Sequence, residues 1–353
     1  MKLFVDSVRS IAKRSGVTEI ADVLCYFCAI IFGVLAKPPG IVWLLAIIGI
    51  SNLARFILCG VWFQIPFHRD AHQWCPQKDL CYRIGVAIKT AAYAVAFVSI
   101  IMRHFTRGHI VFDVIQFIAW YIVLAVSVYE ALRTLAFVLH KRNPIWLSDN
   151  DNRIGYLGHS AIVCNILIAI NIHIIATRCF GACSYYIGAI IPLCCILIMD
   201  AVNGYIWRKH QRMTRFYGWL EVFSQKFFVV GHIIAVTIAL SKTDLRLNNL
   251  KASTAVALLV AIAIIRDIIV AIWHIAGRWR LNYVSLRSYH INLIRRIIVY
   301  CWIMLSLYTA YTNDNMMAGY TALSTLVVIV CSAINIIADT RDIENSTFEG
   351  PYY

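Results

Sequence analysis

The sequence predicts an all-α, polytopic transmembrane helical bundle of about ten spans, folded as five tandem helical hairpins with both termini in the cytoplasm. Three observations predict it: an apolar composition, apolar blocks of membrane-crossing length, and basic residues gathered in alternate links. Of 353 residues, 61% are hydrophobic and 14% charged, where soluble domains carry about 45–50% and about 25%. The mean hydropathy is +0.72. Crossing about 30 Å of hydrocarbon takes about 20 mostly apolar residues. Blocks near 20–36, 41–63, 84–104, 111–139, 157–176, 184–206, 219–240, 252–276, 293–311 and 318–338 approach or exceed that length, the first being short and the fourth long.

Taken in order, residues 1–18 form a basic amphipathic segment, with Leu3, Phe4, Val8 and Ile11 set against Lys2, Arg9, Lys13 and Arg14. That pattern suits a helix lying on an anionic leaflet; a targeting presequence is the competing reading. No hydrophilic stretch exceeds about 20 residues, too few for a soluble domain. Residues 1–353 therefore read as one membrane domain, with hairpins at 20–63, 84–139, 157–206, 219–276 and 293–338 and a polar tail at 339–353.

The formal net charge of +14 points to a membrane surface and not to nucleic acid, because of where it sits. The links after even-numbered spans are basic, as in "RKHQRMTR" (208–215) and "GRWRLNYVSLR" (277–287). The opposite links "KPPG", "FTRGHI" and "TNDNMM" carry one basic residue or none, while 241–251 is an exception with Lys242, Arg246 and Lys251. The positive-inside rule then puts both termini in the cytoplasm, in a cytoplasmic (inner) membrane. Arg208, Lys209, Arg212, Arg215, Arg278 and Arg280 are the expected contacts to anionic headgroups.

Each hairpin's second helix carries a polar element at a similar depth: "ISNLARFIL" (50–58), "VYEALRTLA" (128–136), "IMDAVNGYI" (198–206), "IIRDIIVAI" (264–272) and "SAINIIADT" (332–340). Their spacing of about 65–80 residues suggests duplication of one hairpin. Residues equally far from a hairpin turn share a depth, since both helices rise about 1.5 Å per residue. This matches Asp22 with Arg55, Lys89 with Glu130, Lys226 with Asp267, and Arg295 and Arg296 with Asn335; the third hairpin offers Asp200 against His159. Opposite charges at one depth either register the hairpins or line a path for ions or protons. An isolated ion in hydrocarbon is expensive, whereas a pair near the interface costs less because each side chain can also snorkel; repetition in every hairpin favours the first reading. Arg133, Arg266 and Asn203 are left out of these pairings and stand as candidates for function.

Other chemistry is sparse. In "HRDAHQWCPQKDLC" (68–81), a helix would put His68, His72 and Cys75 on one face, a zinc- or copper-ligand spacing set against an interfacial anchor. His104, His109, His173, Cys179 and Cys183 gather near one side without a haem motif. Eight of the twelve cysteines fall within spans, where a thiol packs as a small hydrophobe, and "CYFC" (25–28) is read that way. Cys179 and Cys183 lie in a link assigned outside, where they can pair in an oxidising compartment. The sequence has no GxSxG, HExxH, P-loop or GxGxxG pattern, so no enzyme and no cofactor is expected. Pro192 alone lies inside a predicted span, which argues against a broken-helix transporter.

The array of two-helix hairpins resembles in architecture the membrane paddles of the larger small-conductance mechanosensitive channels. Neither that family's Gly/Ala-rich pore helix nor the signature of mitochondrial carriers occurs in the sequence. The expected function is a channel-type or membrane-sensing assembly, a homo-oligomer or a subunit of a membrane complex. A proton- or ion-coupled transporter using Glu130, Asp200 and Asp267 is the first alternative, and a non-catalytic structural subunit of a larger membrane complex the second.

Overall fold

A computed structural model describes residues 22–31, 41–64, 80–106, 110–142, 147, 154–177, 182–210, 214–241, 246–247, 250–251, 254, 257, 261, 288–312, 316, 319–321, 323–331 and 334. Among these the chain is almost wholly helical. The elements are α1 (Asp22–Ile31), α2 (Ile41–Gln64), α3 (Leu80–Phe105), α4 (Ile110–Arg142), α5 (Tyr156–Thr177), α6 (Ala182–His210), α7 (Arg215–Ser241), β1 (Arg246–Leu247), β2 (Leu250–Lys251), α8 (Ser288–Thr312) and α9 (Gly319–Cys331). Four stretches, Ile41–Cys59, Leu80–Phe105, Val111–Arg142 and Tyr156–Thr177, are helices long and apolar enough to cross a membrane.

The helices run past the apolar blocks at their polar ends. α4 continues through His140, Lys141 and Arg142, because Lys and Arg are good helix formers and their charge complements the helix C-terminus. At the turn between the seventh and eighth expected spans, an all-helical reading misses a small antiparallel ladder pairing Arg246 with Lys251 and Leu247 with Leu250. Asn248 and Asn249, between the strands, lie outside the described residues. The ladder centres this turn about two residues later than the apolar pattern suggests.

On α3 the buried face repeats every three or four residues through Tyr82, Val86, Lys89, Tyr93 and Ala96. The opposite face is apolar as well, with Ile84, Ile88, Val95 and Val98 all exposed. α2 does the same: Trp43 and Ile50 are 69% and 68% exposed. Apolar rows of this extent are unfavourable in water and at home against lipid tails. Hydrophobicity therefore does not choose the inward faces; polar and small residues do.

The chain divides into two compact units, one of Met1–Ile170 with Met199–Val222 and one of Asn171–Ile198 with Phe223–Tyr353. In the first, Ala136, Phe137, Leu157, Ile162, Phe216 and Leu220 form a buried apolar cluster from the C-terminal end of α4 and the N-terminal ends of α5 and α7. Gly49 of α2 makes room for Tyr26 of α1, whose hydroxyl donates to the Leu45 carbonyl at 2.9 Å. A Cβ at Gly49 would collide with Tyr26 Oη and lie 2.8 Å from its Cζ. Gly49→Leu is expected to destabilise the protein by about 1–3 kcal/mol through overpacking. Thermal unfolding in detergent reads this, and a variant as stable as the parent would remove the contact.

In the second unit, polar side chains bind helix to helix. Asn171 Nδ2 donates to the Ala189 carbonyl at 2.6 Å, one turn before Pro192, where α6 lacks an N–H donor. Fully buried His232 lies 3.3 Å from Asn171 Oδ1 through Nε2 and 2.7 Å from the Phe228 carbonyl through Nδ1. Between α8 and α9, Trp302 Nε1 donates to Thr325 Oγ1 at 2.8 Å, and the Thr309 and Thr321 hydroxyls meet at 2.7 Å.

Candidate functional site

The first four helices each bring one charge to a common point in the first unit. Asp22 lies in α1, Arg55 in α2, Lys89 in α3 and Glu130 in α4, and all four are buried. Arg55 Nη2 lies 3.1 Å from Asp22 Oδ2 and its Nη1 3.1 Å from Glu130 Oε2. Lys89 Nζ lies 2.6 Å from the same Asp22 oxygen and 3.4 Å from the same Glu130 oxygen. Each carboxylate thus holds both cations and each cation both carboxylates. The ring is closed and carries no net charge.

Its neighbours complete the cations. Tyr82 Oη accepts a hydrogen bond from Arg55 Nη1 at 3.3 Å, and the guanidinium carbon stands 5.5 Å from the Tyr82 ring centroid. Asn52, one helical turn before Arg55, accepts from Lys89 Nζ at 3.4 Å. Gly85, one turn before Lys89, leaves space for the glutamate: a Cβ there would stand 2.8 Å from Glu130 Oε1 and 3.5 Å from Val126 Cγ1. Desolvating four ions is costly, and their mutual attraction at low dielectric offsets that cost only when each ion is well bonded. Lys89, with no exposed surface, meets this condition through three acceptors.

The other expected site residues are placed differently. Asn203 is not left over: it is buried and its Oδ1 accepts a hydrogen bond from Ser160 Oγ at 2.6 Å. Arg133 is half-buried, with its guanidinium carbon 5.7 Å from the Phe137 ring centroid. His159 engages Tyr129 and not Asp200, with Nδ1 2.7 Å from Tyr129 Oη and the rings stacked at 5.8 Å. Counting from the turn sets Asp200 and His159 level, but depth does not set rotation about the helix axis. Asp200 itself is half-buried.

Arg266, Asp267, Asn335, His68, His72, Cys75, Arg212, Arg278 and Arg280 lie outside the described residues. So do the side chains of Lys226, Arg295, Arg296, Arg208, Lys209 and Arg215. Among the described residues, no three of His, Cys, Asp and Glu come together as a metal site.

Reasoning from depth alone misses Tyr82, Gly85 and the part played by Asn52. The signal for them is periodic: Tyr82, Gly85 and Lys89 recur at helical spacing, as do Asn52 and Arg55. Compared with known proteins, the chain matches no family model, no curated protein and no solved structure.

Proposed function

We propose that the chain is an integral protein of the cytoplasmic (inner) membrane, crossing it about ten times as five tandem hairpins with both termini cytoplasmic, and that it works as a channel-type or membrane-sensing assembly. The closed ring of Asp22, Arg55, Lys89 and Glu130 carries this reading. It ties four helices from two successive hairpins into one block. A device that responds to the bilayer needs blocks that move as units, and buried ionic rings resist sliding because any slip strands a charge. The basic links supply contacts to anionic headgroups, and a homo-oligomer supplies the conducting interface.

A second reading, a proton-coupled transporter, is favoured by one specific observation. Asp22 Oδ1 and Glu130 Oε1 are buried and accept no hydrogen bond among the described residues. Each is a carboxylate oxygen with free lone pairs, available to a proton.

Both readings meet one experiment: full-length protein in anionic liposomes, with ionic current recorded under applied tension and internal pH followed by a trapped dye. Tension-dependent current supports the assembly. Proton uptake without current, falling at least tenfold in Glu130→Gln, supports the transporter. Vesicles that neither conduct nor take up protons would sink both.

A further inference from the structure

Above the ionic ring, α4 carries a second set of buried polar groups that the ring does not use. Gln116, Trp120, Ser127 and Glu130 fall on one face of the helix, within an arc of about 80° at 100° per residue. Gln116 and Trp120 are 1% and 0% exposed, and Ser127 is 0% exposed. Across the helix pair, Tyr93 of α3 is 1% exposed and stands edge-on to Trp120, with ring centroids 6.1 Å apart. Tyr93 lies one turn from Lys89, which places it between the ring and Trp120.

All of these groups but Tyr93, whose hydroxyl has Asn52 as a hydrogen-bond partner, keep a polar atom without a hydrogen-bond partner among the described residues. These are Gln116 Oε1 and Nε2, Trp120 Nε1, Ser127 Oγ and Glu130 Oε1, with Asp22 Oδ1 in the ring itself. One orphan is an ordinary event. A file of them along a single helix face is not, because a buried polar atom left unbonded loses its hydration without return. The penalty is greatest inside hydrocarbon, where no bulk water intrudes. The other large buried indole shows the usual solution: Trp302 bonds Thr325 directly.

We propose that this seam binds a file of internal water molecules, running about 21 Å along α4 from Glu130 to Gln116 at 1.5 Å per residue, and that protons pass along it to and from the ionic ring. Water is the ligand whose chemistry fits: it donates and accepts, as an indole N–H, a phenol, a hydroxyl, an amide and a carboxylate together demand. Buried waters typically take two to four such partners. The groups are spaced for it. Ser127 lies about 4.5 Å of rise from Glu130 and Gln116 about 6 Å from Trp120, and Tyr93, whose phenol can make a further hydrogen bond beside the one to Asn52, fills the longer interval between Ser127 and Trp120. A proton entering at Gln116 forms a new O–H bond on the first water as that water releases one to the next, which reverses the file's hydrogen bonds; the waters then turn back before the next transfer, and nothing is consumed.

This deepens the proton-coupled reading, and two experiments separate its failure from that reading's. The first is radiolytic hydroxyl labelling of the full-length protein in liposomes, which marks side chains beside bound water irrespective of transport. Trp120 is expected to oxidise at least five times faster than Trp302, an equally buried indole without the file. Equal protection of the two would overturn the water file, whatever the vesicles transport. The second is proton flux driven by a potassium diffusion potential. Gln116→Leu and Ser127→Ala are each expected to reduce flux at least tenfold, with Ser127→Ala small enough to fold normally. Flux at the wild-type level in a folded Ser127→Ala protein, or a wild-type flux no greater than that of empty vesicles, would overturn proton passage along the seam.

Discussion

Lys89→Met is expected to cost about 3–5 kcal/mol of stability, the range for removing one partner from a buried ion pair. The lysine is wholly buried and contacts both carboxylates, at 2.6 Å and 3.4 Å. Its loss leaves two acids facing Arg55 alone, one negative charge in excess in a low-dielectric interior. Unfolding in detergent, followed by intrinsic tryptophan fluorescence, measures the change. Adding Asp22→Asn to Lys89→Met restores neutrality and is expected to recover at least half of it, since Asp22 makes the shorter contact. A double variant no more stable than the single one would show that the lysine matters by packing and not by charge. The same comparison with Glu130→Gln tests whether the two acids share the load.

Trp302→Ala is expected to be as costly, at about 3–5 kcal/mol, because it empties the space of one of the largest fully buried side chains. Trp302→Phe keeps most of that volume and loses only the hydrogen bond to Thr325, worth about 1 kcal/mol. Thr325 still donates to the Thr321 carbonyl at 2.7 Å, so the phenylalanine variant leaves no stranded donor. Equal losses in the two variants, by the same unfolding measurement, would assign the effect to the hydrogen bond and not to the cavity.

The long apolar helices are legible in the sequence because length and apolarity alone mark them. Apolar length marks Leu80–Phe105 and Ile110–Arg142 as helices, and the short link between them makes them antiparallel neighbours. Counting from that turn sets Lys89 near the level of Glu130, and the same count sets Asp22 near Arg55. What counting cannot supply is which hairpin faces which. The contact between Lys89 and Asp22 spans 67 residues and that between Arg55 and Glu130 spans 75. Both depend on helix rotation, and apolar residues on every face give no moment to read it from. His159 shows the same limit, level with Asp200 yet turned to Tyr129. The polar seam is hidden for another reason: nothing in the apolar run of 111–139 tells which way Gln116 and Trp120 face, and only the packing of α3 on α4 shows that they are buried.

The composition of the ionic ring also bears on how the protein is made. Helices α1 and α2 contribute one acid and one base, Asp22 and Arg55, 3.1 Å apart. Helices α3 and α4 contribute another of each, Lys89 and Glu130. Each pair of helices is therefore neutral at its buried level before the other arrives, and emerges from the ribosome with its own counterion in hand. The first pair can enter the lipid without waiting for the second. In the assembled ring each ion keeps the partner from its own pair and adds one from the other, so docking joins two sites that are already neutral.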